Sequence, residues 1–220
     1  MIFAFIFFSE LVLLFFLSKF LSQSLSKIFM RLTKSQNVTI HLLSLFFLPG
    51  VIIHELAHLL TASLLFVPVG EMEFSPKIIE DGVKLGGVAI GHTDPFRRAV
   101  IGFAPVLFGT ALIILIPIYF LSGGFSFDWK SLVIFYLVFE VGNTMFSSRK
   151  DVEGTIELML VLAILFMTFY FIGFRVPLNF ISDFLVKNLE TLKRMDFILL
   201  IPLLIDFTVL GIARFLHLDR

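Results

Sequence analysis

Six stretches of this chain are long and apolar enough to suit a bilayer. They lie at about residues 2–21, 38–67, 99–121, 132–147, 155–174 and 197–216. A spanning helix needs about 20 predominantly apolar residues. Soluble domains are about 45–50% apolar and about 25% charged; this chain is 58% and 15%, with a mean hydropathy of +1.01. A soluble core of this size could not hide so much apolar surface, whereas lipid accepts it. The expected fold is an all-α polytopic membrane protein with about six transmembrane helices. Residues 1–220 form one integral membrane domain in that reading, and the expected location is a multi-pass place in the cell membrane. The first run contains Glu10 but has no basic residue before it and no small-x-small cleavage site, so it reads as a helix rather than a signal peptide. The 30 phenylalanines read as lipid-facing and packing residues.

Between the second and third runs the texture changes. Residues 69–93 carry Glu71, Glu73, Lys77, Glu80, Asp81 and Lys84 among several glycines. Glu71-Met72-Glu73-Phe74 alternates polar and apolar side chains as a strand does. Residues 83–90 supply a partner, with Asp81-Gly82 as the turn. This predicts a small β-hairpin at the membrane surface or dipping into it. Non-helical backbone survives at membrane depth only when buried in protein or facing water, so the hairpin should border a polar cavity. Lys and Arg divide almost evenly between the two sides, and the positive-inside rule assigns no orientation.

Net charge is zero and there are no cysteines. The first fact leaves no basic face for nucleic acid. The second leaves only His, Asp and Glu as metal ligands. From residue 42 to residue 67 the only ionisable groups are His54, Glu55 and His58, in the order His54-Glu55-Leu56-Ala57-His58. Imidazoles four residues apart lie on one helical face and suit one tetrahedral zinc ion. Glu55 follows the first of them, where a carboxylate can take a proton from water activated by that ion. Each such group at mid-membrane costs about 2.5–3.5 kcal/mol on insertion scales, which a metal would offset. A hydrogen-bonded polar cluster between helices is the plainer alternative. Pro49-Gly50, one turn earlier, should bend or unwind the helix.

A catalytic zinc site needs a third protein ligand. His41, His92, His217, Glu10, Glu140, Asp151, Glu157 and Asp206 are all candidates, and spacing does not choose among them. Asp206 is expected to make a helix–helix hydrogen bond. Glu140 should share the inward face of Asn143, one turn on.

With its H-E-x-x-H helix and the segment Asn143-Thr144-Met145-Phe146-Ser147-Ser148-Arg149-Lys150-Asp151, the chain resembles the site-2 protease family of intramembrane zinc metalloproteases. That family places an Asp-Gly eight positions after an Asn. The resemblance spans roughly residues 38–175, the core carrying the metal site. It implies Asp151 as third zinc ligand, with Glu153 as the nearest substitute. It also implies Asn143 as a contact to the substrate backbone or the developing oxyanion. The hairpin resembles the family's substrate-clamping strands, and Ile101-Gly102-Phe103-Ala104-Pro105 resembles its small-residue-plus-Pro element. Three features depart from the pattern. The prolines between Asn143 and Asp151 are absent, Val152 follows Asp151 where Gly is usual, and no Asn follows Pro105.

The function these readings imply is zinc-dependent hydrolysis of peptide bonds in membrane-embedded or membrane-surface substrates. His54, His58 and Asp151 would hold Zn2+; Glu55 and Asn143 would act in catalysis; His92 and Glu140 would meet the substrate. The partners expected are a membrane protein or peptide and the lipid bilayer. A divalent-cation transporter or metal sensor is the competing class, and a non-catalytic membrane scaffold a third.

Overall fold

A computed structural model describes residues 2–79, 82–120, 128–146, 149–174, 183 and 185–215, with the side chains of 78–79, 82, 149–152 and 154–155 outside the description. The protein is mostly helical. Its helices are α1 (Ile2–Thr33), α2 (Gln36–Phe46), α3 (Leu48–Leu64), α4 (Pro95–Phe120), α5 (Trp129–Thr144), α6 (Arg149–Phe171) and α7 (Leu189–Phe215). Three of them, α1, α4 and α7, are long and apolar enough to cross a membrane; α2 and α3 taken together make a fourth, bent candidate. The six expected runs all fall on helices, but α5 has 16 residues and the apolar part of α6 is Ile156–Phe171. Their outer faces carry Phe5, Phe8, Phe16, Leu107, Tyr119 and Phe207 exposed. Soluble monomers rarely show apolar surface on this scale; lipid is its natural solvent, and the chain is a membrane protein.

The expected single helix over 38–67 is two helices. The chain breaks at Phe47 (φ −90°, ψ 8°) and turns by 70°. Pro49 explains the place. It has no N–H to donate to Leu45, and its ring crowds that carbonyl. A proline is tolerated in the first turn of a helix, where N–H groups lack intrahelical partners anyway, so α3 restarts with Pro49 in its first turn.

The hairpin is present with altered strand bounds. β1 (Val69–Glu73) pairs antiparallel with β4 (Gly87–Ile90), and β2 (Lys77–Ile79) with β3 (Gly82–Lys84). The expected strand over 83–90 is therefore interrupted at Leu85-Gly86. There the chain passes over α3: a Cβ added to Gly86 would stand 2.6 Å from Val51 Cγ1 and 3.6 Å from Glu55 Cγ. Only glycine lets the backbone come so close. The Asp81 position of the expected turn lies outside the described residues.

The core is a helix bundle. α1 packs along α7, α4 along α6, and α3 against both α4 and α5. One apolar cluster joins Leu14, Ile113, Val138, Val141, Met145 and Leu199. A second joins Leu21, Leu43, Phe47, Val51 and Phe139. The backbones of α3 and α5 come close at Gly50. A Cβ there would meet Thr144 Oγ1 at 2.5 Å and the Glu140 carbonyl at 2.6 Å. The floor of α3 is thus pressed onto the end of α5, one turn before His54.

Candidate metal centre

His54, Glu55 and His58 lie in the middle of α3 and are all buried, with 3%, 7% and 6% of their surface exposed. Helical spacing sets the two imidazoles on one face, towards α4, while Glu55 points about 100° round the helix, where Gly86 passes over it. His54 Nε2 and His58 Nε2 face each other at 3.2 Å, the rings near perpendicular at 82°. Nδ1 of His58 is 2.9 Å from the carbonyl oxygen of Ile101 in α4. A carbonyl only accepts, so Nδ1 carries the hydrogen. The neutral ring then presents the lone pair of Nε2, and that lone pair points at His54.

Two nitrogens bound at about 2.0–2.1 Å to one tetrahedral ion stand about 3.3 Å apart. The separation of the pair, the choice of donors and a second partner fixing one ring all suit zinc. The same 3.2 Å suits a hydrogen bond between the rings. Among the described residues, no group of three His, Asp or Glu side chains is placed to hold one ion.

The other expected residues fall in different places. Asp151 lies in the first turn of α6, and its side chain is outside the description, as is all of His217. Glu153, two residues on, is exposed, as are Glu157 and His92. His92 sits in the short connection between β4 and α4. His41 is exposed on α2, with Nδ1 2.7 Å from the Asn37 carbonyl.

Glu140 is fully buried. It lies in α5, whose backbone presses against Gly50, and its carboxyl meets no side-chain hydrogen-bond partner among the described residues, the backbone N–H of Gly50 being the group turned towards it. Asn143 donates its side-chain amide to the Phe139 carbonyl at 3.0 Å and to Asp206 Oδ1 at 2.9 Å. The first bond lies within α5; the second braces α5 against α7. Asp206, fully buried, makes the helix–helix hydrogen bond expected of it.

Outside the bundle the charges pair locally. Lys77 bonds Glu73 and holds that carboxyl below its usual range. Asp94 accepts the backbone N–H of Arg97 at 3.0 Å, capping α4, and its carboxyl is likewise held low.

Sequence reasoning missed the Ile101 carbonyl, because no side-chain pattern marks a backbone acceptor 43 residues from its donor. It also missed the Asn143–Asp206 pairing, whose one signal was that each is a polar group in an apolar run. No family model, no curated protein and no solved structure matches this chain.

Proposed function

We propose that the chain is an intramembrane zinc endopeptidase that cleaves membrane-embedded or membrane-surface peptides. The observation that supports this most is the pair of buried imidazoles, Nε2 facing Nε2 at 3.2 Å, beside the buried carboxylate of Glu55. His54 and His58 would hold the ion, with Asp151 or Glu153 from the start of α6 as third ligand. The bundle would cross the bilayer six times, α5 and α6 completing the count.

When bound, zinc supplies Lewis acidity towards the scissile carbonyl and lowers the pKa of water towards about 7. Glu55 takes the proton from the attacking water as its oxygen bonds to the carbonyl carbon. It returns that proton to the nitrogen as the C–N bond breaks. α3, α4 and the β1–β4 sheet, which packs on α3, keep bulk water from the carboxylate. The sheet lies next to Glu55, so an extended substrate adding to its edge by main-chain hydrogen bonds would bring its peptide bond towards the carboxylate. His92 and Glu140 would meet the substrate. Asn143 would serve the substrate backbone by exchanging Asp206 for it.

A divalent-cation pathway is the second reading. The buried carboxylates Glu140 and Asp206 favour it, because they add acidic groups to the bundle interior beside the start of α3. The test is metal analysis of the purified protein together with cleavage of a membrane-peptide substrate. Stoichiometric zinc, lost in His54→Ala and His58→Ala along with cleavage, is the expected result. Metal flux into proteoliposomes that survives Glu55→Gln would favour the second reading instead.

A further inference from the structure

The acceptor that orients His58 has an unusual origin. In an α-helix the carbonyl of residue 101 normally receives the N–H of residue 105. Residue 105 is a proline inside α4. Proline has no N–H, and its ring pushes against the carbonyl four residues back, turning it away from the helix axis. The carbonyl so released is that of Ile101, and it is the one that accepts Nδ1–H of His58 at 2.9 Å. His58 is 6% exposed and Ile101 2%, so water does not compete for either group.

From this geometry we infer that Pro105 is a positioning residue for His58. By withholding a backbone hydrogen from Ile101, it dedicates that carbonyl to Nδ1 and leaves the Nε2 lone pair directed at the site. Metal-binding histidines depend on such a partner for tautomer and ring orientation, and removing it typically weakens metal binding about 10–100-fold. A second proline in the same helix, Pro117, makes the comparison internal. It releases the carbonyl of Ile113, which lies away from the motif in the apolar core.

The inference rests on the proposed metal site for its functional meaning, but its first readout needs no metal. The protein is labelled with 15N-histidine, freed of metal and held at about pH 8.5, where imidazole of ordinary pKa is neutral. His58 is assigned by its loss in His58→Ala. Wild type should show the Nδ1–H tautomer. Pro105→Ala restores a backbone N–H to Ile101 and should move His58 towards the Nε2–H form, with zinc affinity about 10–100-fold weaker. Pro117→Ala should leave both unchanged. The α-hydroxy acid analogue of alanine at position 105 has no N–H and no ring, and should behave as wild type.

An unchanged tautomer and affinity in Pro105→Ala would overturn the inference. So would an ester variant that behaves like Pro105→Ala, since the ring rather than the missing hydrogen would then be responsible. Should Pro105→Ala fail to fold, the wild-type and ester spectra decide: Nε2–H at His58 in either overturns it, and Nδ1–H in both supports it. A wild type that takes up no zinc, yet whose His58 tautomer responds as described, would remove the zinc reading and leave the role of Pro105 standing.

Discussion

Nε2 of His54 stands 3.2 Å from Nε2 of His58, and both residues are buried. With the hydrogen of His58 committed at Nδ1 to Ile101, its Nε2 has only a lone pair to offer. Two facing lone pairs repel, so His54 must either donate a hydrogen across the gap or share a cation there. The first arrangement is a structural brace; the second is a reactive centre.

Replacing Glu55 by Gln keeps the shape of the side chain and removes its basicity. Cleavage should fall by about 10²–10⁴-fold, the range for losing a general base, while bound zinc stays at the wild-type level. Steady-state cleavage paired with metal analysis reads both quantities.

Removing one imidazole should abolish tight metal binding, in His54→Ala as in His58→Ala. Asp151→Ala should reduce it more than Glu153→Ala does if Asp151 is the third ligand of the proposed site, as its place eight residues after Asn143 suggests. Titration with zinc against a competing chelator ranks the four variants, and equal affinities for Asp151→Ala and wild type would remove Asp151 from the ligand set.

Gly50→Ala inserts a methyl group 2.5 Å from Thr144 Oγ1 and 2.6 Å from the Glu140 carbonyl. Overpacking of this kind costs about 1–3 kcal/mol. Adding Thr144→Ala should recover only part of the loss, because the carbonyl remains. Denaturant or thermal unfolding in detergent measures both steps.

The Asn143–Asp206 hydrogen bond ties α5 to α7 across 63 residues of sequence. A double-mutant cycle with Asn143→Leu and Asp206→Leu should give a coupling of about 0.6–1.7 kcal/mol, as found for polar pairs within membranes. Additive single effects, read by the same unfolding assay, would mean that the pair contributes no specific interaction.

Asp94 caps α4, and its carboxyl is held low chiefly by the Arg97 backbone N–H, with the Arg97 guanidinium adding to the effect. A depressed folded value means that the ionised form stabilises the fold. That contribution is present above the ordinary aspartate range and is lost as pH falls through the folded value. Asp94→Asn keeps a capping oxygen but cannot ionise. Wild type should exceed it in stability at neutral pH, the difference closing in acid, as thermal unfolding across a pH series would show.

Much of the architecture is legible from local pattern. The apolar runs fall on helices, Pro49 marks the break in the second of them, and the motif sits in one continuous helix because its spacing is helical. The alternation around residue 72 reads as a strand. What escapes is what depends on distant partners. The hairpin was expected as one ladder; it is split because Gly86 must clear Val51 and Glu55 of α3, a contact no local pattern encodes. The resemblance implies Asn143 as a contact to the substrate backbone or oxyanion; that its amide hydrogens meet Phe139 and Asp206 is set by partners no local pattern names. Six spans were read from hydropathy, whereas helix length supports three or, with the bent pair, four among the described residues.

The 70° elbow at Phe47 frees α3 to run in a direction that α2 does not set. What then fixes α3 in place is Gly50, whose bare backbone sits against Thr144 and the Glu140 carbonyl. A residue inserted between Gly50 and His54 would swing the imidazole pair about 100° round α3, away from Ile101 altogether. The single turn from Gly50 to His54 is thus the ruler that decides where the pair stands.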